Sequence, residues 1–483
     1  MKRVFFFEYE KKKYSALPFI TDDPDSHAQL KDILQQIWNE RKNFGLSRFY
    51  EADDESKEQQ FFTFYDNGIK AGKYVGEIRF KGYSLIVIPK VLEKKSDHDA
   101  AFKLFNSNML WWLSWSSKIK FPRTFSSLGS TEFDFLDILI FMFASITRDD
   151  LIFNKHQAYV EQEETLQTVR GRIDFARYSV NHATSYPHLI PCVYDSLEID
   201  NDYNRVVKFT SRFLIQKTEL EEVKNILGEI TWILDEVSNA HATAAECDMI
   251  VISPLKPIMR TILDYCKMFL SGMAHKNSED DLEIFSFMVP MEVLYEDFIF
   301  NFIKDSFEGE FGFGEISGQG SGRSVHLAKE LVNAKTTRRF LLKPDIYLHN
   351  PHSGDVIADT KYKKVYSRIE VNESDRLKSG ASVIDIYQML AYAVKFGVSK
   401  LHLLYPDKAD DKEELQSEYI IESDDTNLIE DISIQYHRLP VIIKEIDDGN
   451  GNDLQSNIAE QENNLRQKLT SLFCHFSVKI KPE

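Results

Sequence analysis

Hydrophobic and polar positions change their period along this chain, and the changes mark out its elements. VFFFEYE alternates as a strand, and Asp32 to Lys42 has helical spacing. After an acidic loop, Glu51 to Glu58, FFTFYD and then KYVGEIRFKGYSLIVIPKV read as strands, with Gly82 at a turn and Pro89 closing the sheet at an edge. Trp111, Trp112 and Trp115 follow, read first as core packing and alternatively as a partner-docking surface. Helical spacing then dominates: Phe133 to Ile146, Tyr203 to Lys217, Leu220 to Val237 and Leu255 to Leu270. Pro290 suits the first turn of a helix, MEVLYEDFIFNFIKD, whose apolar stripe is Met291, Leu294, Phe298 and Phe302. Gly312 to Gly322 holds five glycines without the Gly-Lys-Ser/Thr of a phosphate-binding loop, so no nucleotide site is expected. Ser382 to Phe396 reads as a helix, KLHLLYP as a buried strand, and Asp453 to Leu472 as an amphipathic helix. The pattern predicts a multi-domain α/β protein. Its parts are a mixed N-terminal domain over 1–125, a mainly helical middle over 126–278, and an α/β domain with an acidic extension over 279–483.

Within the last part, FLLKPDIYLHNPHSGDVIADTKYKK predicts a β-hairpin. Phe340 to His349 and Asp355 to Tyr362 are apolar runs, and Asn-Pro-His-Ser-Gly between them is a cluster of turn formers. Folding about His352 pairs Asp355 with His349, Ile357 with Tyr347 and Asp359 with Asp345. Opposed residues in an antiparallel pair have Cβ atoms about 4.5–5.5 Å apart, so two carboxylates converge. Lys361 falls on the face of Asp359 by strand alternation.

Composition narrows the class. The chain is 43% hydrophobic and 28% charged, which is globular rather than disordered. Cys192, Cys247, Cys266 and Cys474 are scattered without metal-ligand spacing, which favours a reducing cytoplasm. His182, His188 and Cys192 lack a fourth ligand at a supporting spacing for zinc. MKRVFFFEYEKKKY has no uninterrupted apolar core, which argues against a signal peptide, and Phe133 to Ile146 is too short to span a bilayer. The formal net charge of -18 argues against nonspecific nucleic-acid binding by the whole surface. The charge is uneven, however. Arg323 to Arg368 is strongly basic, while Asp407 to Asp431 is strongly acidic. Arg338, Arg339, Lys343, Lys363 and Lys364 are the candidate DNA contacts in that basic belt. Arg170, Arg172 and Arg205 read either as surface ion pairs or as phosphate contacts.

Two carboxylates and an ammonium at one point suit a divalent cation acting on a phosphodiester. Mg²⁺ prefers oxygen ligands and keeps several waters, so Asp345, Asp359 and the Thr360 carbonyl form a sufficient set, with Mn²⁺ as a substitute. Lys361 would orient or deprotonate the attacking water, or stabilise developing negative charge. Glu296 on the preceding helix is placed to reach a metal-bound water, or is an exposed helix carboxylate. Gln388 lies one turn before Tyr392, to touch substrate or brace the lysine, or as a buried hydrogen-bonded amide.

This arrangement resembles the PD-(D/E)xK nuclease superfamily. MEVLYEDF, KPDI, ADTKYK and DIYQMLAYA, with YVGEIRF, LIVIPKV, RGRIDF and CVYDSLEIDNDYNRVVK upstream in order, resemble the McrC family. That family is the nuclease subunit of McrBC-type 5-methylcytosine restriction systems. The likeness runs from about residue 70 to 405, with Asp359 where glutamate is usual in the superfamily. Gly76, Pro89 and Lys90 match the family's N-terminal pattern, and read otherwise as a turn and a strand end.

The resemblance implies a cytoplasmic, Mg²⁺-dependent DNA endonuclease of a defence system. It would cut double-stranded DNA after assembly, through its N-terminal part, with a McrB-like AAA+ GTPase hexamer whose GTPase it stimulates. Two rivals remain: an adaptor that only activates the motor, and an autonomous repair nuclease. Neither membrane attachment nor nucleotide binding by this chain is expected.

Overall fold

The computed structural model describes residues 2–18, 24–41, 58–80, 83–93, 98–118, 135–154, 156–218, 220–271, 285–318, 325–332, 335–352, 354–363, 382–409, 416–422, 431–444 and 454–473. The acidic loop's residues 51–57, Gly82, Cys474 and Lys364 lie outside them, as does most of the acidic stretch before Asp431. The chain is mixed α/β and divides into two compact units. One comprises Met1–Arg41, Leu46–Phe133 and Ser286–Glu483, and the other Lys42–Gly45 and Asp134–Phe285. The spans read from sequence as separate N- and C-terminal domains therefore share one unit. Among the described residues no helix is long and apolar enough to cross a membrane.

The first unit begins with β1 (Lys2–Phe7), β2 (Lys11–Lys13), α1 (Pro24–Glu40), β3 (Phe62–Tyr65), β4 (Gly68–Ala71), β5 (Tyr74–Phe80), β6 (Tyr83–Ile88) and α2 (His98–Ser114). β1 runs parallel to β6, and β5 pairs antiparallel with it. Pro89 follows β6, which is an interior strand, so it ends a strand rather than marking an edge. A proline is tolerated there because it lies beyond the last ladder pair, where no N–H is required.

The second unit holds α3 (Phe135–Phe153), β7 (Ala158–Leu166), β8 (Arg172–Ile173), α4 (Phe175–Ala183), β9 (Ile190–Glu198), α5 (Asp202–Ile215), α6 (Glu221–Ile233), α7 (Ala244–Met249) and α8 (Pro257–Ser271). It is mainly helical, with a three-stranded sheet, β7-β9-β8, added. β7 escaped the periodicity reading because it is largely exposed and carries glutamates on both faces, and β9, mostly half-buried, because Asp195 and Glu198 fall on opposite faces and blur its alternation. Two of the three arginines singled out above are held locally. Arg205 Nε lies 2.7 Å from Asp200, and the Arg170 guanidinium lies over the Tyr194 ring at 3.9 Å. Gly171 has φ 65, and a Cβ there would lie 2.4 Å from the Val193 carbonyl oxygen.

The first unit resumes with β10 (Phe285–Pro290), α9 (Met291–Phe307), β11 (Ile316–Gly318), β12 (Val325–Val332), β13 (Lys335–Leu342), β14 (Ile346–Leu348), β15 (Val356–Thr360), α10 (Val383–Phe396), β16 (Lys400–Pro406), β17 (Gln416–Ile421), β18 (Ile432–Leu439) and α11 (Leu454–Phe473). β10 completes the first sheet, in the order β1-β6-β5-β10. A six-stranded sheet, β11-β14-β15-β16-β18-β17, carries the candidate site. β15, β16 and β18 are parallel, and β14 and β17 antiparallel to their neighbours. α10 packs Met389, Tyr392 and Ala393 on Tyr347, Ile357 and Leu403 of one face. Helix ends follow local chemistry: Pro290 immediately precedes α9 with its φ already near the helical value, a Ser382–Asp385 capping box opens α10, and Gly397 closes it at φ 70.

The tryptophans are core. Trp111 and Trp115 pack edge-on against Phe298 and Phe302 of α9, and Trp112 Nε1 donates to the Val441 carbonyl. Asn108 adds two backbone bonds to Ile443, one given and one received. Burying three indoles and an amide side chain in this way joins the N-terminal helix to the C-terminal half.

Candidate active site

The hairpin has the predicted register. Ile346 pairs with Ala358, Tyr347 with Ile357 and Leu348 with Val356. The first run is not one strand, however. It breaks at Lys343-Pro344, and Lys335–Leu342 pairs instead with β12. Proline has no N–H for a ladder, which accounts for the break. Continuing the register sets Pro344 against Thr360, so that carbonyl faces no donor from its opposite residue. The Thr360 N–H finds a side chain instead: it donates to Asp345 Oδ2 at 2.8 Å, as does the Thr360 hydroxyl at 2.8 Å.

Asp345, Asp359 and Lys361 come together at the C-terminal end of β15, where substrate sites of parallel sheets lie. Asp359 is 0% exposed, and its Oδ1 accepts no hydrogen bond. Lys361 Nζ lies 2.5 Å from Asp359 Oδ2 and donates to Gln388 Oε1 at 3.1 Å. Gln388 Nε2 donates to the Tyr392 hydroxyl, which donates to the Lys343 carbonyl. Gln388 thus braces the lysine from α10.

Electrostatics tie Glu296 to the same place. Burial, then the Asp345 and Asp359 charges, push its carboxyl up to about 8, while Lys118 opposes. Burial first, and then Asp345, push Asp359 up to about 7 against Lys361. Burial lowers the Lys361 ammonium, but Asp359, Asp345 and Asp385 outweigh it and hold the group above its ordinary value. A carboxyl whose affinity for protons is raised by neighbouring negative charge is also drawn more strongly to a cation.

The donor set fits Mg²⁺. A buried carboxylate oxygen with no hydrogen-bond partner has lost its hydration, and a cation restores that contact. Among the described residues no three His, Cys, Asp or Glu side chains form a ready ligand cage. Mg²⁺ needs none, because it retains waters.

The basic residues divide. Lys363 is paired with Asp385 at 3.0 Å and Arg339 with Glu330 at 2.7 Å, while Lys343 is exposed. Arg338 stands opposite Lys329 on the β12–β13 ribbon. Sequence reasoning missed Lys118, Asp297 and Asp385. Asp297 accepts from the Ser116 hydroxyl and from the Ser117 N–H and hydroxyl, pinning α9 to the end of α2 beside Glu296. Only Asp385 carried a local signal, as the fourth residue of the capping box.

A family model described as McrBC 5-methylcytosine restriction system component matches residues 69–406. No curated protein matches. Two solved structures from Thermococcus gammatolerans are similar. One, a refined half-complex from a tetradecameric assembly of McrB AAA+ hexamers with bound McrC, is 16% identical with TM-score 0.64, covering 98% of this chain and 100% of that one. The other, a cryo-EM structure of the McrBC complex, is 19% identical with TM-score 0.46, covering 64% and 88%. The first likeness concerns the fold alone.

Proposed function

This chain belongs to the McrBC 5-methylcytosine restriction system component family, and we propose that it is the nuclease subunit of such a system. It hydrolyses phosphodiester bonds of double-stranded DNA with Mg²⁺, after assembly with a McrB-like AAA+ GTPase hexamer whose GTPase it stimulates. The observation that carries this reading is the convergence of Asp345, Asp359 and Lys361, with an unpartnered buried oxygen on Asp359.

Asp345, Asp359 and the Thr360 carbonyl would hold the cation, and Glu296, in electrostatic contact with both carboxylates, would orient the attacking water. The ion supplies Lewis acidity and a template for in-line displacement. Thr360 fixes the Asp345 carboxylate through two hydrogen bonds, so its orientation is set before substrate arrives. Lys361, held protonated by its acidic neighbours, is suited to donate to a phosphate oxygen as charge builds there. Gln388 and Tyr392 keep that ammonium aimed. The acidic surface elsewhere is compatible with DNA work if the partner delivers the substrate.

The test is cleavage by Asp359→Ala and Lys361→Ala proteins mixed with the GTPase partner. Loss of cutting with normal GTPase stimulation is expected. Unchanged cutting would refute the nuclease assignment. Cutting by this chain alone, with Mg²⁺ and no GTPase, would point to an autonomous enzyme instead.

A further inference from the structure

The ribbon β12–β13 pairs with no other strand among the described residues, and β13 leads within three residues to Asp345. Its sixteen residues carry four basic side chains, Lys329, Lys335, Arg338 and Arg339, against one acidic, Glu330, in a chain of net charge -18. Glu330 is engaged by Arg339. Lys329 stands directly across from Arg338. Like charges opposed on a ladder destabilise it, so the pair has no folding rationale by itself.

The ladder is interrupted two steps further on. Pairs run from Val332↔Lys335 to Ala328↔Arg339 and resume at His326↔Leu341, omitting the step at which Leu327 faces Phe340. At that step Phe340 has φ 58 and is 71% exposed, and Leu327 is 39% exposed. A bulky aromatic residue in the left-handed region, with its ring in solvent, costs free energy twice. Such strain persists where function requires it. Apolar side chains flanked by cations are the chemistry with which proteins press into a DNA groove, and a two-stranded ribbon fits one.

We propose that the β12–β13 ribbon is an arm that lies in a groove of the duplex beside the scissile phosphate, with Phe340 and Leu327 against the bases and Lys329 and Arg338 on the flanking phosphates. This rests on the nuclease reading for its substrate. Phe340 is five residues before Asp345, at most about 18 Å along an extended chain, which keeps the contact close to the reacting bond. Arg339, engaged by Glu330, stiffens the ribbon instead of touching DNA.

The test uses the chain assembled with its GTPase partner. Cleavage is measured with Mg²⁺, and binding to a short duplex DNA is measured in Ca²⁺ as a function of salt. Phe340→Gly relieves the backbone strain, so its melting temperature is expected at or above that of the wild type. Its cleavage nevertheless falls about tenfold or more, and Phe340→Trp retains it. Lys329→Gln with Arg338→Gln flattens the slope of log affinity against log salt by about two. A Phe340→Gly protein that cuts at the wild-type rate, or a double variant with an unchanged slope, overturns the arm, while a dead Asp359→Ala control keeps the nuclease reading intact. If Asp359→Ala still cuts, the nuclease reading fails, and the binding slope still decides the ribbon.

Discussion

Lys361 donates to Gln388 across the space between strand β15 and helix α10, at 3.1 Å. The same ammonium is 2.5 Å from Asp359, and the amide passes the connection on through Tyr392 to the Lys343 carbonyl. A flexible lysine is thereby held by a residue of helix α10, which Tyr392 in turn ties to the backbone just before Asp345. The group's aim is a tertiary property.

Gln388→Leu removes that brace at nearly constant volume. Cleavage by the assembled complex should fall about 10–100-fold, the usual cost of losing a residue that orients another. GTPase stimulation should be unchanged. Equal loss of both activities would mean that the variant misfolds or fails to assemble.

Asp359→Asn should abolish cleavage without lowering stability. Burial and Asp345 push the folded carboxyl up to about 7, above its unfolded value. Between those values the folded state binds more protons, so this group's contribution falls as pH rises. In the metal-free protein the amide removes that loss, and the melting temperature of Asp359→Asn at pH 8 in chelator should equal or exceed the wild type's. Thermal melting with and without Mg²⁺ checks this, because the cation should stabilise only the wild type.

His402 gives the opposite pH response. It is buried beside His437 and against Phe473 of α11, and burial followed by His437 pushes it down to about 3. Below the unfolded value the unfolded chain takes up the proton and the folded chain does not, so stability is lost as pH falls. Between pH 6.5 and 5 that loss is about 2 kcal/mol. His402→Leu should remove it, read as the difference between wild-type and variant denaturant curves at the two pH values.

Gly76→Ala should unfold the first sheet. Gly76 has φ 135 on β5, and a Cβ there would lie 1.9 Å from the Phe287 carbonyl oxygen on β10. A backbone clash in a buried sheet is expected to cost more than about 2 kcal/mol. The measurement is soluble yield and melting temperature, and a wild-type melting curve would contradict the clash.

The hairpin was legible because alternation and a symmetric turn together specify its register. Asp345 and Asp359 fall opposite each other whether or not anything else is known. Pro290, Ser382 and Gly397 marked helix ends because capping is local chemistry. The polar strand β7 had no apolar face to announce it. The break at Pro344 was visible as a proline, yet the new partner of Lys335–Leu342 was not.

By itself, the sequence determined which residues can pair across the turn and which carry the chemistry, since both depend on neighbours within a few positions. Only the tertiary structure decided what surrounds them. Lys118 and Glu296, far apart in the chain, became electrostatic neighbours, and three tryptophans became the seam between the two ends of one unit. Burial did the rest, raising the Glu296 and Asp359 carboxyls by excluding water from around them. Exclusion of water depends on packing among distant segments, which no local pattern specifies.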